Sequence, residues 1–171
     1  MRVPACLALT LLSSSALGAS SDMRWQFDGT ILTHGVPQTS DVDFSASCAS
    51  GKIVIRLHQA APGLANGGSV AVSMAAGSFS SRYDGQGVMG EAGTVRPELT
   101  LPAGDGLVEA MAKGQSLRIT MDGAAGYDIP LQDSHGAVAR FAAGCGQAIS
   151  PPPAKAGQPR ATKGRRLNQA R

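Results

Sequence analysis

Two cysteines, Cys48 and Cys145, are the residues whose type and spacing most clearly predict a covalent bond. The 171-residue chain has three cysteines, and Cys6 lies in an N-terminal segment that we expect to be removed. The remaining pair predicts a disulfide in an oxidising compartment. The alternative is a reactive thiol, which needs a neighbouring base to lower its pKa. His135 lies ten residues before Cys145, and this spacing alone does not bring the two together.

A glycine motif is the second feature that could carry chemistry. The segment GQGVMG, residues 85–90, matches the Gly-x-Gly-x-x-Gly pattern of dinucleotide-binding sites. That pattern binds a pyrophosphate only where a strand precedes it and a helix begins beneath the phosphates. The residues that follow, EAGTVRP, have no helical pattern. We therefore interpret the segment as a flexible surface loop that could contact a partner, and we assign no cofactor to it.

The remaining polar residues do not form a recognisable catalytic or metal-binding motif. His34, His58 and His135 lack the spacing of metal ligands, and we expect each to be a polar surface residue. Asp41 and Asp43 flank a strand start and could bind a cation weakly, but solvated carboxylates are the simpler interpretation. The serine-nucleophile patterns Gly-x-Ser-x-Gly and Ser-x-x-Lys are absent. The sequence thus assigns no catalytic, cofactor-binding or metal-binding residue.

Residues 1–19 have the three-part pattern of a secretory signal peptide. Arg2 precedes an apolar run over residues 3–12, and small residues follow as far as Ala19. We expect cleavage between Gly18 and Ser20. The apolar run is shorter than the roughly 20 residues that span a bilayer, so the sequence predicts a periplasmic or secreted protein without a transmembrane segment. An uncleaved membrane anchor is the alternative.

Charge divides the rest of the chain into an acidic body and a basic tail. Residues 20–145 contain eight Lys or Arg and twelve Asp or Glu, a net charge of −4. Residues 147–171 are rich in proline and small side chains, carry no acidic residue, and are predicted to be disordered. The tail has six basic residues that could bind an anionic surface: Lys155, Arg160, Lys163, Arg165, Arg166 and Arg171.

The basic tail suggests partners but does not identify one. It could bind an anionic polysaccharide, a lipid surface or an acidic envelope protein through Coulomb attraction. A tail that serves only solubility is the alternative. Nucleic acid is not an expected partner, because the body is acidic and only 4% of the residues are aromatic and able to stack on bases.

Residues 20–146 have the length and patterning of one domain that would position these groups. VDFSASC and KIVIRLH, separated by a small-residue turn, alternate apolar and polar residues and predict a hairpin. SVAVSM, SFSSRYDG, ELTL, SLRITM and YDIPL predict further strands. Pro130 should place the last strand at a sheet edge or end there, since proline has no N–H for pairing.

Two short helices are predicted late in this domain. In DGLVEAMAKG, Asp105 can cap the start and Gly114 suits a left-handed stop. In SHGAVARFAAGCG, Ser134 can cap the start, and Val138 and Phe141 share a face with Cys145. The last helix would then close the domain through the disulfide. Strands followed by helices predict an α+β fold with an antiparallel, sandwich-like sheet.

The segment GLVEAMAKGQSLRITMDGAAGYDIPLQDSHGAVARFAAGCG, together with VDFSASCASGKIVIRL, resembles two groups of small secreted bacterial proteins. These are envelope proteins of the invasion-associated locus B type and periplasmic proteins associated with type VI secretion. The resemblance implies a disulfide-bridged envelope protein without catalytic activity, and only Cys48 and Cys145 are carried over, as the bridge.

The sequence therefore favours a non-catalytic, exported envelope binding or accessory protein. Its specific role is not indicated by any motif. Two alternatives stay open: a structural secreted domain that associates with itself, and an enzyme with an unrecognised site. A pocket that gathers a histidine with two carboxylates would favour the enzyme.

Overall fold

The computed structural model describes residues 22–90 and 93–146, and the predicted signal peptide and basic tail lie outside these ranges. Nine strands and two helices form in the described residues. In chain order they are β1 Arg24–Phe27, β2 Ile31–Gly35, β3 Val42–Ala49, β4 Lys52–Leu57, β5 Ser69–Ala76, β6 Phe79–Met89, β7 Val95–Pro102, α1 Gly106–Lys113, β8 Ser116–Met121, β9 Tyr127–Pro130 and α2 His135–Gly144.

All nine strands belong to one antiparallel sheet with the order β1-β2-β3-β4-β7-β6-β5-β8-β9. The predicted antiparallel sheet with two helices is confirmed, whereas the predicted sandwich-like arrangement is matched only in part. Pairing of β4 with β7 joins the two groups of hairpins edge to edge, so they form one continuous sheet. A sheet this wide twists and curls. Trp25 Nε1 of β1 donates a hydrogen bond to the Pro130 carbonyl of β9 at 2.7 Å, which links the two edge strands.

The inner face of the curled sheet, defined as the face that carries the buried apolar residues, packs against both helices. Strand alternation places every second residue on this face, and the opposite, outer face carries polar side chains. The helices contribute Leu107, Met111, Val138 and Phe141 to the same core. The largest fully buried side chains of the strands are Phe44, Leu32, Ile53, Ile55, Leu57, Met74, Leu99, Leu101 and Leu117.

The predicted β3–β4 hairpin is confirmed. Its two-residue turn consists of Ser50 and Gly51, which have φ angles of 52° and 72°. Two consecutive positive φ angles are typical of the tight turns that match the twist of paired strands. Pairing of Ala49 with Lys52 next to this turn sets the register of the whole hairpin.

The disulfide between Cys48 and Cys145 is confirmed, with the two Cα atoms 5.6 Å apart. Cys48 lies in β3, and Cys145 is the C-cap of α2, where its N–H donates to the Phe141 carbonyl. The bridge joins residues separated by 97 positions. Closing a loop of this length removes about 4–5 kcal/mol of unfolded-state entropy in the chain-entropy model. It fastens the last helix to the first half of the sheet.

The helix ends follow the sequence only in part. Asp105 caps α1 as predicted, since its Oδ1 accepts from the Leu107 N–H at 2.9 Å. Gly114 has a φ of −77°, so the predicted left-handed stop is wrong. The predicted Ser134 cap is also wrong: its backbone is already helical, and its buried hydroxyl donates to the Leu131 carbonyl at 2.7 Å.

The interpretation of GQGVMG as a flexible loop is wrong, because residues 85–89 form the second half of β6. Gly87 donates to the Gly68 carbonyl and accepts from the Gly67 N–H, both at 2.7 Å. A Cβ at Gly87 would lie 2.3 Å from the Ala65 carbonyl oxygen, and one at Gly85 would lie 2.4 Å from Leu99. These two glycines therefore allow backbone and core side chains to approach the strand closely.

Pro130 ends β9, and β9 is an edge strand, as predicted. Among the described residues, no helix is long and apolar enough to cross a membrane.

Replacing Gly87 with alanine is expected to destabilise the fold by about 2–3 kcal/mol, because the added methyl group would overlap a backbone oxygen that cannot move freely. Urea unfolding of the oxidised protein measures the change. Gly104→Ala is the matched control, since a Cβ there meets no atom within 4 Å. Equal stability of the two variants would contradict the close packing of β6.

Candidate functional site

An open groove of about 520 Å³ lies where the ends of β4, β6 and β7 meet. We call it the basic groove. Its chemistry comes from two arginines, one histidine and three apolar side chains: Arg56, Arg96, His58, Val42, Val88 and Met89.

Strand alternation explains how the two arginines reach the same groove. Ile55 and Leu57 of β4 point into the core, so Arg56 lies on the outer face. In β7, Leu99 and Leu101 are buried, which places Arg96 and Glu98 on the outer face. The register pairs Arg56 with Glu98 and Arg96 with Val88. His58 follows the end of β4, and its backbone N–H donates to the backbone carbonyl of Asp43 at 2.9 Å.

Arg96 and His58 of the groove form a hydrogen-bonded chain with Ser45. Arg96 Nη1 lies within hydrogen-bond distance of His58 Nδ1, and His58 Nε2 is 3.2 Å from Ser45 Oγ. A guanidinium can only donate, so Nδ1 must accept. His58 therefore carries its proton on Nε2 and donates to the serine hydroxyl, and this tautomer is neutral.

Burial lowers the pKa of His58, and the positive charges of Arg96 and Arg56 lower it further. The Asp43 carboxylate acts in the opposite direction. His58 is thus kept neutral beside a guanidinium that it accepts from but does not neutralise.

The two arginines of the groove differ in their charge balance. Arg56 Nε is 2.6 Å from Glu98 Oε2, which makes an ion pair. Among the described residues, no carboxylate lies within ion-pair distance of Arg96. Arg96 Nε is buried and has no hydrogen-bond acceptor in the same part of the chain. Leaving such a donor unpaired costs about 1–3 kcal/mol or more, so Arg96 is the group of this groove that most needs an acceptor.

A second polar cluster lies on the inner face. His34 is only 3% exposed, and its Nδ1 is 3.5 Å from Asp43 Oδ2. The register shift next to His34 leaves Asp43 unpaired in β3. Burial raises the pKa of the Tyr127 hydroxyl, and the charge of Asp43 raises it further. Burial lowers the pKa of His34, with Asp43 opposing this effect.

The inner cluster is a packed part of the core. The ring of Trp25 lies against His34, with centroids 5.2 Å apart, and against Phe44, with centroids 5.4 Å apart. The Asp43 carboxylate also raises the pKa of His58, so the two clusters adjoin each other. Because the inner cluster is packed against aromatic rings whereas the groove is open, we treat the groove as the candidate site and the inner cluster as structural.

The predicted surface positions of the histidines are correct only for His135, which is exposed. His34 is buried because it pairs with Phe44 on the inner face, and His58 is half-buried beneath Arg96. Asp41 is exposed, as expected. Within residues 22–90 and 93–146, no group of three or more His, Cys, Asp or Glu could hold a metal ion.

The groove was not predicted from the sequence. Strand alternation could have placed Arg56 outside the core, but the meeting of Arg56, His58 and Arg96 depends on β4 pairing with β7. The six basic tail residues proposed for anionic surfaces, Lys155 to Arg171, lie outside the described residues.

No protein-family model, characterised protein or solved structure matches this chain. The resemblance to proteins of the invasion-associated locus B type and to type VI secretion-associated periplasmic proteins therefore stays a prediction.

The His58 imidazole is expected to titrate below its ordinary pKa of about 6.5, and Arg96→Gln should raise that pKa because a nearby positive charge is lost. The unfolded chain takes up this proton at higher pH than the folded chain. The contribution of His58 to stability is thus complete above about pH 6.5 and is lost as the pH falls through the folded pKa.

An NMR titration of the histidine ring signals measures this pKa. Arg82→Gln is the control, since Arg82 is an exposed arginine paired with Asp122 outside the groove. A His58 midpoint that does not change in Arg96→Gln would contradict the contact between the two side chains.

Proposed function

We propose that this chain is a non-catalytic, exported binding or accessory protein of the cell envelope, and that the basic groove is its ligand site. The observation that carries the proposal is the buried Arg96 Nε, a charged donor without an acceptor in the described chain, in the wall of an open groove. A buried charged donor without an acceptor gains more free energy from a bound partner than a donor that is already hydrogen-bonded.

The size and lining of the groove support a binding role. A volume of about 520 Å³ falls within the range of about 300–1,000 Å³ that is usual for ligand pockets. The groove combines the apolar side chains of Val42, Val88 and Met89 with polar groups that also include the hydroxyls of Ser40 and Thr94, and ligand sites commonly combine both kinds of group. Met89, a large apolar side chain that is 51% exposed, lines the groove and is accessible to a ligand.

The disulfide supports the exported location. Such bridges form and persist in oxidising compartments and are rare in the cytosol. The N-terminal pattern of residues 1–19 points to the same compartment. The proposed location is therefore the periplasm or the extracellular space.

The basic tail is proposed to hold the protein near anionic envelope surfaces. Its six positive charges without an acidic residue would raise the local concentration of the groove at such a surface. This attraction would weaken as salt screens the charges, because the Debye length falls from about 10 Å at 0.1 M to about 3 Å at 1 M.

The exported protein is expected to incorporate no alkylating reagent when denatured without reduction, and two alkyl groups after reduction, because only Cys48 and Cys145 then remain. Intact mass spectrometry gives both the number of labels and the cleavage position. A chain kept in the cytosol provides the comparison, since it retains Cys6 and should show three labels. Three labels on the exported protein would contradict removal of residues 1–19.

Sedimentation of the full chain with washed envelope fractions tests the binding role. Two variants separate its parts: Arg96→Gln for the groove, and glutamine at all six basic tail positions. We expect Arg96→Gln to reduce binding at least about fivefold at all salt concentrations, the loss of one charged hydrogen bond. The tail variant should lose binding mainly at low salt.

Arg82→Gln, which removes an exposed arginine outside the groove, should bind like the wild type. Binding that is unchanged by both Arg96→Gln and the tail variant would remove both features from the proposed function.

A further inference from the structure

We propose that the basic groove binds an amphiphilic oxyanion, a ligand with one carboxylate or phosphate group attached to a short apolar chain. This assignment rests on the proposed binding function and specifies the ligand class of the same groove. Arg96 would hold the oxyanion, and the apolar chain would lie along Val42, Val88 and Met89.

His58 uses only one side of the Arg96 guanidinium. Nη1 is directed to His58 Nδ1, and the side-on edge formed by Nε and Nη2 is not used by the histidine. Two parallel N–H groups on one edge match the two oxygens of a carboxylate or phosphate. Nε, one of these two donors, is buried and lacks an acceptor among the described residues.

His58 makes this edge more rigid without cancelling its charge. The neutral imidazole accepts from Nη1 and is itself held by Ser45, which fixes the plane of the guanidinium. A carboxylate in the place of His58 would have neutralised Arg96. The arrangement therefore presents a fixed and uncompensated positive group.

Of the described residues, the two acidic side chains near the groove do not pair with Arg96. Glu98 is paired with Arg56 at 2.6 Å. Asp43 has its carboxylate 3.5 Å from His34, and its charge also acts on His58, whose pKa it raises. Among the side chains that line the groove, Arg96 is thus the charged group without an ionic partner in the described chain.

The apolar walls indicate that the ligand is more than a free anion. Val88 is the strand partner of Arg96, and Met89 follows it with half of its surface exposed. Methionine is flexible and polarisable, so it adapts to alkyl chains of different shape. Burial of such a chain would increase affinity about fourfold for each methylene group.

Isothermal titration of the full mature chain with octanoate and octyl phosphate, each below its micelle concentration, tests the assignment. Octyl glucoside is the neutral probe with the same alkyl chain. We expect both anions to bind at least about tenfold more tightly than the glucoside, the gain from a charged hydrogen-bonded pair. Tighter binding of octyl phosphate would indicate a phospholipid-like ligand, and tighter binding of octanoate a fatty-acid-like ligand.

Arg96→Gln is expected to weaken anion binding at least about tenfold and to leave the glucoside unchanged. Val88→Glu places a carboxylate opposite Arg96 and should weaken binding of the anions more than binding of the glucoside without altering the arginine, although loss of the apolar Val88 side chain should weaken binding of all three probes. Its matched control is Val54→Glu, a half-buried position on the outer face of β4 that pairs with Thr100 and does not line the groove. Dispersed amide NMR spectra confirm that each variant is folded.

Equal binding of the three probes, or anion binding that Arg96→Gln and Val88→Glu leave unchanged, would overturn the assignment. This result is separable from failure of the proposed function. If the anions bind through Arg96 while sedimentation with envelope fractions does not depend on Arg96, the ligand class stands and the envelope role falls. If envelope binding depends on Arg96 but neither anion binds, the envelope role stands and the proposed ligand class falls.

Discussion

Pairing of β4 with β7 is the contact on which the rest of the structure depends. It joins strands β1–β4 to the other five strands of the sheet. Its register places Ile53 opposite Leu101 and Ile55 opposite Leu99. All four side chains are fully buried, so a shift by one residue would turn them to the outer face. The same register sets Arg56, which lines the basic groove, against Glu98 on the outer face.

Two features hold this sheet around its helices. The disulfide fastens the end of α2 to β3, and the Trp25 indole connects the two edge strands through the Pro130 carbonyl. Both contacts join residues that are far apart in sequence, by 97 and 105 positions. Contacts of such long range close the fold as one unit. The disulfide restrains the unfolded chain, and the Trp25 hydrogen bond restrains the two edge strands.

The chemistry of the basic groove follows from unequal compensation of its charges. Arg56 has an ionic partner, whereas Arg96 donates to a neutral imidazole. A guanidinium beside a neutral, half-buried partner keeps its charge at every physiological pH, since arginine is not deprotonated in proteins. This property suits the recognition of an anion better than general acid–base chemistry, which needs a group that gains and loses a proton near neutral pH.

The sequence by itself determined the local elements of this protein. Alternation of apolar residues predicted β3, β4, β5 and β8. Asp105 predicted the start of α1, and Pro130 predicted the end of the edge strand. The count of cysteines predicted the disulfide. Each of these depends on residues close in the chain, or on the simple pairing of two thiols. Only the tertiary structure decided which strands became neighbours beyond the β3–β4 hairpin. The joining of the strands into one curled sheet, the place of Gly87 in β6 and the meeting of His58 with Arg96 all arise from contacts between distant segments, for which a local pattern carries no signal.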